Sequence, residues 1–376
     1  MHSEKPRGRR MLDNKSILIT GGTGSFGQKL VRRILARHDN CRIVVYSRDE
    51  MKQWNMANDF ADHPKKHLLR FFLGDVRDRD RLYRAFSGID YVVHAAALKI
   101  VPAAEYNPFE FIKTNINGAM NVIDCAIDQG VRRVIALSTD KACNPINLYG
   151  ATKLCSDKLF VAGNSYSGAV ATRFAVVRYG NVMGSRGSVI PLFRSLRDSG
   201  ELPITDAAMT RFMITLEQAV EMVLHAMKNA VGGEIYVKKI PSMRVVDIAR
   251  AVAPQAKLKI VGIRPGEKMH EQMISQEDAA TTYEYPEYFK ILPNIHNWKL
   301  DPNRIKDGKK CEPGFCYSSE QNKSWMTDGA LKAWLAQEYG EPPAKRTATA
   351  TATATTTAAA GTRAAGHQRK LAAAGG

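Results

Sequence analysis

Lys15–Thr20 (KSILIT) runs without a break into Gly21-Gly22-Thr23-Gly24-Ser25-Phe26-Gly27, and this junction constrains the fold more than any other stretch of the chain. A short β-prone run, a glycine loop, and then Leu30, Val31, Ile34 and Leu35 at helical spacing read as strand, tight turn and a helix over Gln28–Arg37. Glycines at 21, 24 and 27 serve a tight turn, close approach of backbone to a pyrophosphate, and close helix–strand packing, while a helix N-terminus attracts phosphates. A glycine pattern alone is weak, so the segments after it decide.

The next run, Cys41–Tyr46 (CRIVVY), ends about 20 residues past the loop, where the adenosine ribose of a dinucleotide is read. Ser47 and Arg48 at its tip offer a hydroxyl and a guanidinium to a 2′-phosphate, which points to NADP; Asp49, one residue on, leaves NAD as the alternative. Leu69–Leu73 delivers Gly74-Asp75-Val76, with the aspartate placed for an adenine amino group. Tyr91–His94 (YVVH) ends in Ala95-Ala96-Ala97, small residues that let backbone approach a cofactor, and Lys99 faces the same cleft. His94 reads as a satisfied strand-end histidine, and Asn115 or Asn117 as a residue that orders nearby backbone. Alternating short strands and helices up to about residue 180 predict an α/β fold with a Rossmann-type, doubly wound parallel sheet.

Reactive side chains gather in Leu137–Lys153 (LSTDKACNPINLYGATK). Val134–Leu137 reads as a buried strand, so Ser138, Thr139, Asp140 and Lys141 fall at its carboxyl end, where open parallel sheets bind ligands. Tyr149 and Lys153 stand four residues apart and share one face of a helix. A phenol with a pKa near ~10 is a poor base at neutrality, but an adjacent cation favours phenolate. A lowered Tyr149 pKa is therefore expected.

The 376 residues and 44% hydrophobic content fit a folded, soluble protein with two domains around a large core. The net charge of +17 raises the question of nucleic acid, but much of it lies at the ends, from Lys5 to Arg10 and from Lys345 to Lys370. Between them, RDEMK and RDRDR mix the two signs as solvated helix faces do, so no specific nucleic-acid binding is expected. Six cysteines without ligand spacing read as free thiols, and no metal site is expected. With no apolar run near the ~18–20 residues of a membrane span, a cytoplasmic protein is expected. The expected organisation is a disordered leader over 1–14, a cofactor domain over 15–181, an interleaved, mainly substrate-binding domain over 182–340, and a disordered Ala/Thr-rich tail over 341–376.

The glycine loop, Asp75, the alanine triplet, Thr139, Tyr149 and Lys153 occur in an order that resembles the extended short-chain dehydrogenase/reductase superfamily, which binds a nicotinamide cofactor and nucleotide-sugars. TGGTGSFG, YSRDE, GDVRD, AALK, STDKA, NPINLYGATK, VRYGNVMGSRGSV, MTRF and GIRPGEK narrow the likeness to UDP-N-acetylglucosamine 4,6-dehydratases of the C5-inverting type. C5-retaining relatives carry Asp-Glu where this chain has Asp140-Lys141. The resemblance implies Thr139, Asp140, Lys141, Tyr149 and Lys153 as catalytic residues, with Lys141 a desolvated base of depressed pKa. It implies cofactor contacts from Gly21, Thr23, Gly24, Ser25, Phe26 and Gly27, from Ser47, Arg48, Asp49, Glu50, Met51 and Lys52, and from Asp75, Val76, Ala95 and Lys99. Val182, Met183, Gly184, Ser185 and Arg186 complete that set. Lys99, Asn181, Val189, Thr205, Arg211, Arg264 and Glu267 are implied as substrate contacts, and a homo-oligomer as the assembly. Family members often carry histidine where this chain has Ile100, at the edge of the sugar pocket.

Overall fold

The computed structural model describes residues 10–185, 187–293 and 302–340. Its framework is a ten-stranded sheet. In chain order the strands are β1 (Ser16–Thr20), β2 (Arg42–Ser47), β3 (Leu69–Leu73), β4 (Tyr91–His94), β5 (Arg133–Leu137), β6 (Arg173–Arg178), β7 (Ile235–Lys238), β8 (Thr282–Glu284), β9 (Tyr288–Ile291) and β10 (Lys309–Lys310). They lie side by side as β10-β8-β9-β7-β6-β5-β4-β1-β2-β3. From β3 to β7 every pairing is parallel, whereas β9, β8 and β10 add on antiparallel. The order of the first six strands is that of a doubly wound dinucleotide-binding sheet, with its reversal between β1 and β4.

Helices cover both faces, so the central strands are apolar throughout rather than alternating. Ile17, Leu18 and Ile19 of β1 are each fully buried, as are Val92 and Val93 of β4 and Val134 and Ile135 of β5. Burial of each such side chain stabilises the fold by about 1.5–3 kcal/mol. The helix Ser25–Arg37 turns Leu30, Val31 and Ile34 into this core. It begins three residues before the expected Gln28, because Gly24 is extended and Ser25 already takes helical geometry.

A second core sits beyond β6. Asn181–Val182, Thr210–Ile214 and Ser242–Arg244 form a three-stranded sheet. With the helices Val189–Ser195, Val245–Val252 and Asp328–Tyr339 it encloses Met213, Met243, Ile248 and Leu331. The chain leaves the main sheet after β6 and returns to it for β7 through β10, so the two layers share one backbone path several times.

Part of the expected leader is folded. Leu12 is fully buried in the main core, and Asp13 lies 2.8 Å from His38 Nδ1, because the chain must turn here to enter β1. Residues 1–9 of that segment, and the expected tail over 341–376, lie outside the described residues. All six cysteines are free thiols. Among the described residues no helix is long and apolar enough to cross a membrane.

Candidate active site

The carboxyl ends of β1, β2, β4, β5 and β6 open onto a cavity of about 940 Å³. Gly21, Thr23, Gly24, Ser25, Phe26 and Gly27 form one wall. Gly21 has φ +66°, and a Cβ there would lie 2.9 Å from the Ala96 amide nitrogen, so the glycine loop and the alanine triplet are pressed together. A Cβ on Gly27 would sit 2.4 Å from the Gly22 carbonyl oxygen. The 13-residue helix Ser25–Arg37 therefore starts flush against the loop, leaving its unpaired first-turn amides at the cavity. A glycine-rich backbone cradle and a helix N-terminus on one cavity wall fit a dinucleotide's pyrophosphate.

At the adenosine end, Ser47, Arg48, Asp49, Lys52, Asp75 and Val76 line the cavity. The half-exposed Arg48 guanidinium stands 3.7 Å from the Asp75 carboxylate. Asp75 also makes a forked pair with Arg77 at 2.9 and 2.7 Å; burial opposes its charge, but Arg77 outweighs burial and its pKa falls below the usual carboxylate range. Asp49 caps the helix Glu50–Asp59 by accepting from the Lys52 amide at 2.9 Å, so its carboxylate is already engaged. Glu50 and Met51, on the turn behind it, do not line the cavity, and Met51 is 62% exposed.

The reactive end lies under β5. Asn147 caps the helix Leu148–Tyr166 by accepting from the Gly150 amide at 2.7 Å, which aims Tyr149 and Lys153 into the cavity. Gly150 has a packing cause: a Cβ there would lie 2.2 Å from the Lys141 carbonyl oxygen. Asn115 holds the neighbouring loop, exchanging 2.9 Å bonds with Leu98 N–H and C=O and donating to Thr152 Oγ1 at 3.0 Å. His94 pairs with Thr20 Oγ1 at 2.9 Å, and burial pushes its pKa down to about 3, so it is a neutral structural residue.

The Tyr149 phenol departs from expectation. Burial pushes its pKa up to about 12, and the opposing pull comes from Lys141 and the Thr139 hydroxyl. Lys153 is itself buried, which lowers its own pKa. Lys141 departs further. Burial would lower its pKa, but Asp140 Oδ1 at 3.0 Å and Glu271 Oε1 at 3.1 Å outweigh that and hold it above the ordinary lysine value. The expectation of a depressed Lys141 pKa is thus corrected: desolvation is present, but two carboxylates flank the ammonium. Asp140 is 1% exposed, and burial pushes its carboxyl pKa up despite the bonds from Lys141 and Thr139.

Of the implied substrate residues, Lys99 and Asn181 line the cavity, as do Val182 and Ser185 of the cofactor set and Ile100 at the rim. Val189, Thr205, Arg211, Arg264 and Glu267 do not, nor do Met183 and Gly184, and Arg186 lies outside the described residues. Arg211 instead bridges Glu271 at 3.7 Å and Glu267 at 3.3 Å, and Glu267 pairs with Arg264 at 3.0 Å. Sequence reasoning missed Glu271, and also Asp157, which accepts from Ser138 Oγ at 2.7 Å and Arg178 at 3.1 Å beneath the site. Arg178 directly after the apolar run Phe174–Val177 was the available signal, since a buried guanidinium needs a carboxylate. Glu271 left none, standing 130 positions from Lys141 in sequence.

Residues 17–293 match the polysaccharide biosynthesis protein family. The UDP-N-acetylglucosamine 4,6-dehydratase (inverting) of Campylobacter jejuni serotype O:2 is 53% identical over 328 residues, 85% of this chain and 97% of that protein. A UDP-glucose 4-epimerase of Rickettsia akari is 42% identical, covering 88% of this chain and 98% of its own length. Among solved structures, Pen from Bacillus thuringiensis superposes with a TM-score of 0.79 at 35% identity, over 87% of this chain and 99% of that one. A double mutant of dTDP-glucose 4,6-dehydratase from Streptomyces venezuelae, solved with NAD bound, gives 0.60 at 26% identity, over 67% of this chain and 86% of that one. A Rossmann sheet, a glycine cradle and a Thr-Asp-Lys strand end facing Tyr149 and Lys153 agree with that company, and the chain belongs to the polysaccharide biosynthesis protein family and, within it, to the inverting UDP-N-acetylglucosamine 4,6-dehydratases.

Proposed function

We propose that this chain uses bound NADP to convert UDP-N-acetylglucosamine into the 4-keto-6-deoxy sugar inverted at C5, UDP-2-acetamido-2,6-dideoxy-β-L-arabino-hex-4-ulose. The observation that carries the reading is the Asp140-Lys141 pair, 3.0 Å apart, at a strand end whose cavity also holds Tyr149. Tyr149 takes the proton of the C4 hydroxyl, and Lys153 stabilises the phenolate. A nicotinamide cofactor held by the glycine cradle and Arg48 would supply the acceptor for the C4 hydride and the donor that returns it to C6. With C4 a ketone, the C5 proton becomes acidic, and the Lys141 ammonium, by passing a proton to Asp140 3.0 Å away, becomes the free amine that removes it. Asp140, whose burial favours the neutral carboxylic acid, gives its proton to the C6 hydroxyl as water leaves. Reprotonation of C5 from the opposite face sets the L configuration. No net redox change results, so cofactor stays bound through turnover.

NADP is favoured over NAD by Arg48 at the rim and by the prior engagement of Asp49 with Lys52. Arg48→Ala is expected to weaken NADP binding by about tenfold or more, the worth of one charge-assisted contact, with NAD binding unchanged. Titration calorimetry with both cofactors checks this, and equal losses would remove the assignment. A cytoplasmic homo-oligomer completes the reading, with Tyr106 at 87% and Phe109 at 74% exposure offering an apolar face for self-association.

Proton NMR of the purified protein with UDP-N-acetylglucosamine and no added cofactor tests the reaction. A new C6 methyl with L-arabino couplings at early times is the expected product. A methyl with D-xylo couplings from the outset would keep a dehydratase and remove inversion. The likeness to 4-epimerases supports one other reading, in which C4 inverts, the C6 hydroxymethyl survives and no methyl signal forms.

A further inference from the structure

Lys141 sits in an alternating string of charges that runs out of the cavity into the second layer. Asp140, Lys141, Glu271, Arg211, Glu267 and Arg264 follow one another, with successive contacts of 3.0, 3.1, 3.7, 3.3 and 3.0 Å. Glu271 is the member that touches Lys141 from outside its own strand end. It lies just before the strand Gln272–Ile274, is 1% exposed, and its backbone is fixed by bonds with Ser319, whose Oγ accepts from Glu271 N–H at 2.9 Å and whose N–H donates to Glu271 C=O at 2.7 Å. Its Oε1 faces Lys141, while its Oε2 is buried without a hydrogen-bond partner among the described residues. A carboxylate oxygen left buried and unpaired costs about 1–3 kcal/mol or more, so a local gain must offset it.

We infer that Glu271 is a positioning residue for the C5 chemistry: it aims the Lys141 Nζ and sets how readily that nitrogen gives up its proton. The inference rests on the reading of Lys141 as the C5 base. The charged and titratable groups facing Lys141 come from every packed element: Asp140 beside it, Tyr149 from the helix Leu148–Tyr166, Lys99 from the loop after β4, Arg211 from Thr210–Ile214, and Glu271. Lys268 acts on Glu271 from the same loop. Arg211 and Lys99 disfavour the Lys141 ammonium, while Glu271 and Asp140 favour it. Removing the Glu271 charge leaves Asp140 alone against the cations, and Lys141 then releases its proton at lower pH.

The test is the pH dependence of kcat/KM for dehydration, with C5 deuterium uptake from heavy water followed alongside. For Glu271→Gln the limb that rises with pH is expected to move down by about one unit or more, with cofactor content unchanged, because one unit corresponds to about 1.36 kcal/mol of differential charge interaction. Glu271→Asp, which keeps the charge but retracts it, is expected to restore the limb most of the way. A lowered kcat at every pH with an unmoved limb would make Glu271 structural and overturn the inference. Should Glu271→Gln fail to fold, the parent protein labelled with 13Cε-lysine decides: the resonance lost in Lys141→Arg must titrate above the ordinary lysine value, and titration below it overturns the inference. A parent protein that forms no C6 methyl from UDP-N-acetylglucosamine sinks the functional reading itself. One that forms it, but whose limb ignores Glu271, sinks the inference alone.

Discussion

Lys141→Met is expected to lose dehydration by about 10²–10⁴-fold, the range that a positioned acid or base contributes. Cofactor binding should persist, because the glycine cradle and Arg48 follow β1 and β2, while Lys141 follows β5. The variant carries a second, electrostatic signature. Without the ammonium, Asp140 and Glu271 face each other nearly dry, each 1% exposed. Two carboxylates in one site cannot both ionise freely, so one takes up a proton and its folded-state pKa rises above the unfolded value. A raised carboxyl pKa penalises the fold at pH above it and relieves the penalty as pH falls. Relative to the parent, Lys141→Met should therefore be least stable near pH 8 and recover toward pH 5, a trend urea unfolding at several pH values will show. Undiminished turnover would remove Lys141 from the mechanism, and a stability deficit that grew on acidification would contradict the charge arrangement.

Asp157→Ala is expected to be the most destabilising single change near the site, by about 3–5 kcal/mol, because it strands the Arg178 guanidinium without its carboxylate. Arg178 is 3% exposed, its other contacts being the Met273 carbonyl at 2.9 Å and Asp278 at 3.9 Å. Asp157 also accepts from Ser138 at 2.7 Å, so the loss reaches the residue just before Thr139. It further supplies the charge that favours the Lys153 ammonium against burial. Replacing both partners, Asp157→Leu with Arg178→Met, should recover much of the stability, since apolar isosteres remove the charge that burial penalises. Equilibrium urea unfolding distinguishes the cases, and a single-variant loss below about 1 kcal/mol would mean that water reaches Arg178.

Both variants depend on contacts between segments far apart in the chain, and that separation divides what the sequence could reveal from what it could not. Local pattern sufficed for the strands, whose runs of Ile, Val and Leu admit burial on two faces. It also sufficed for the glycine cradle, since a pyrophosphate needs bare backbone at a helix start, and for Tyr149 and Lys153, whose spacing fixes a shared face whatever surrounds the helix. The boundaries were less legible: Leu12 reads as leader until it is seen filling the main core, and the helix Ser25–Arg37 starts within the loop.

Charge state was the property sequence could not supply. A lysine beside an aspartate and a tyrosine above a lysine invite pKa shifts, but their sign depends on burial and on third groups. For Tyr149, burial overrides nearby cations and raises the phenol to about 12; for Lys141, Glu271 arrives from 130 residues downstream and turns a candidate free amine into a held ammonium. Likewise Arg211 and Glu267, 56 positions apart in sequence, meet in a chain of ion pairs that no local pattern announces. Short-range spacing determined which groups exist and which way they point. Only the packing of later segments, Glu271 among them, against the end of β5 decided which carry charge, because Coulomb interactions depend on distance through space and solvent access, neither of which the order of residues specifies.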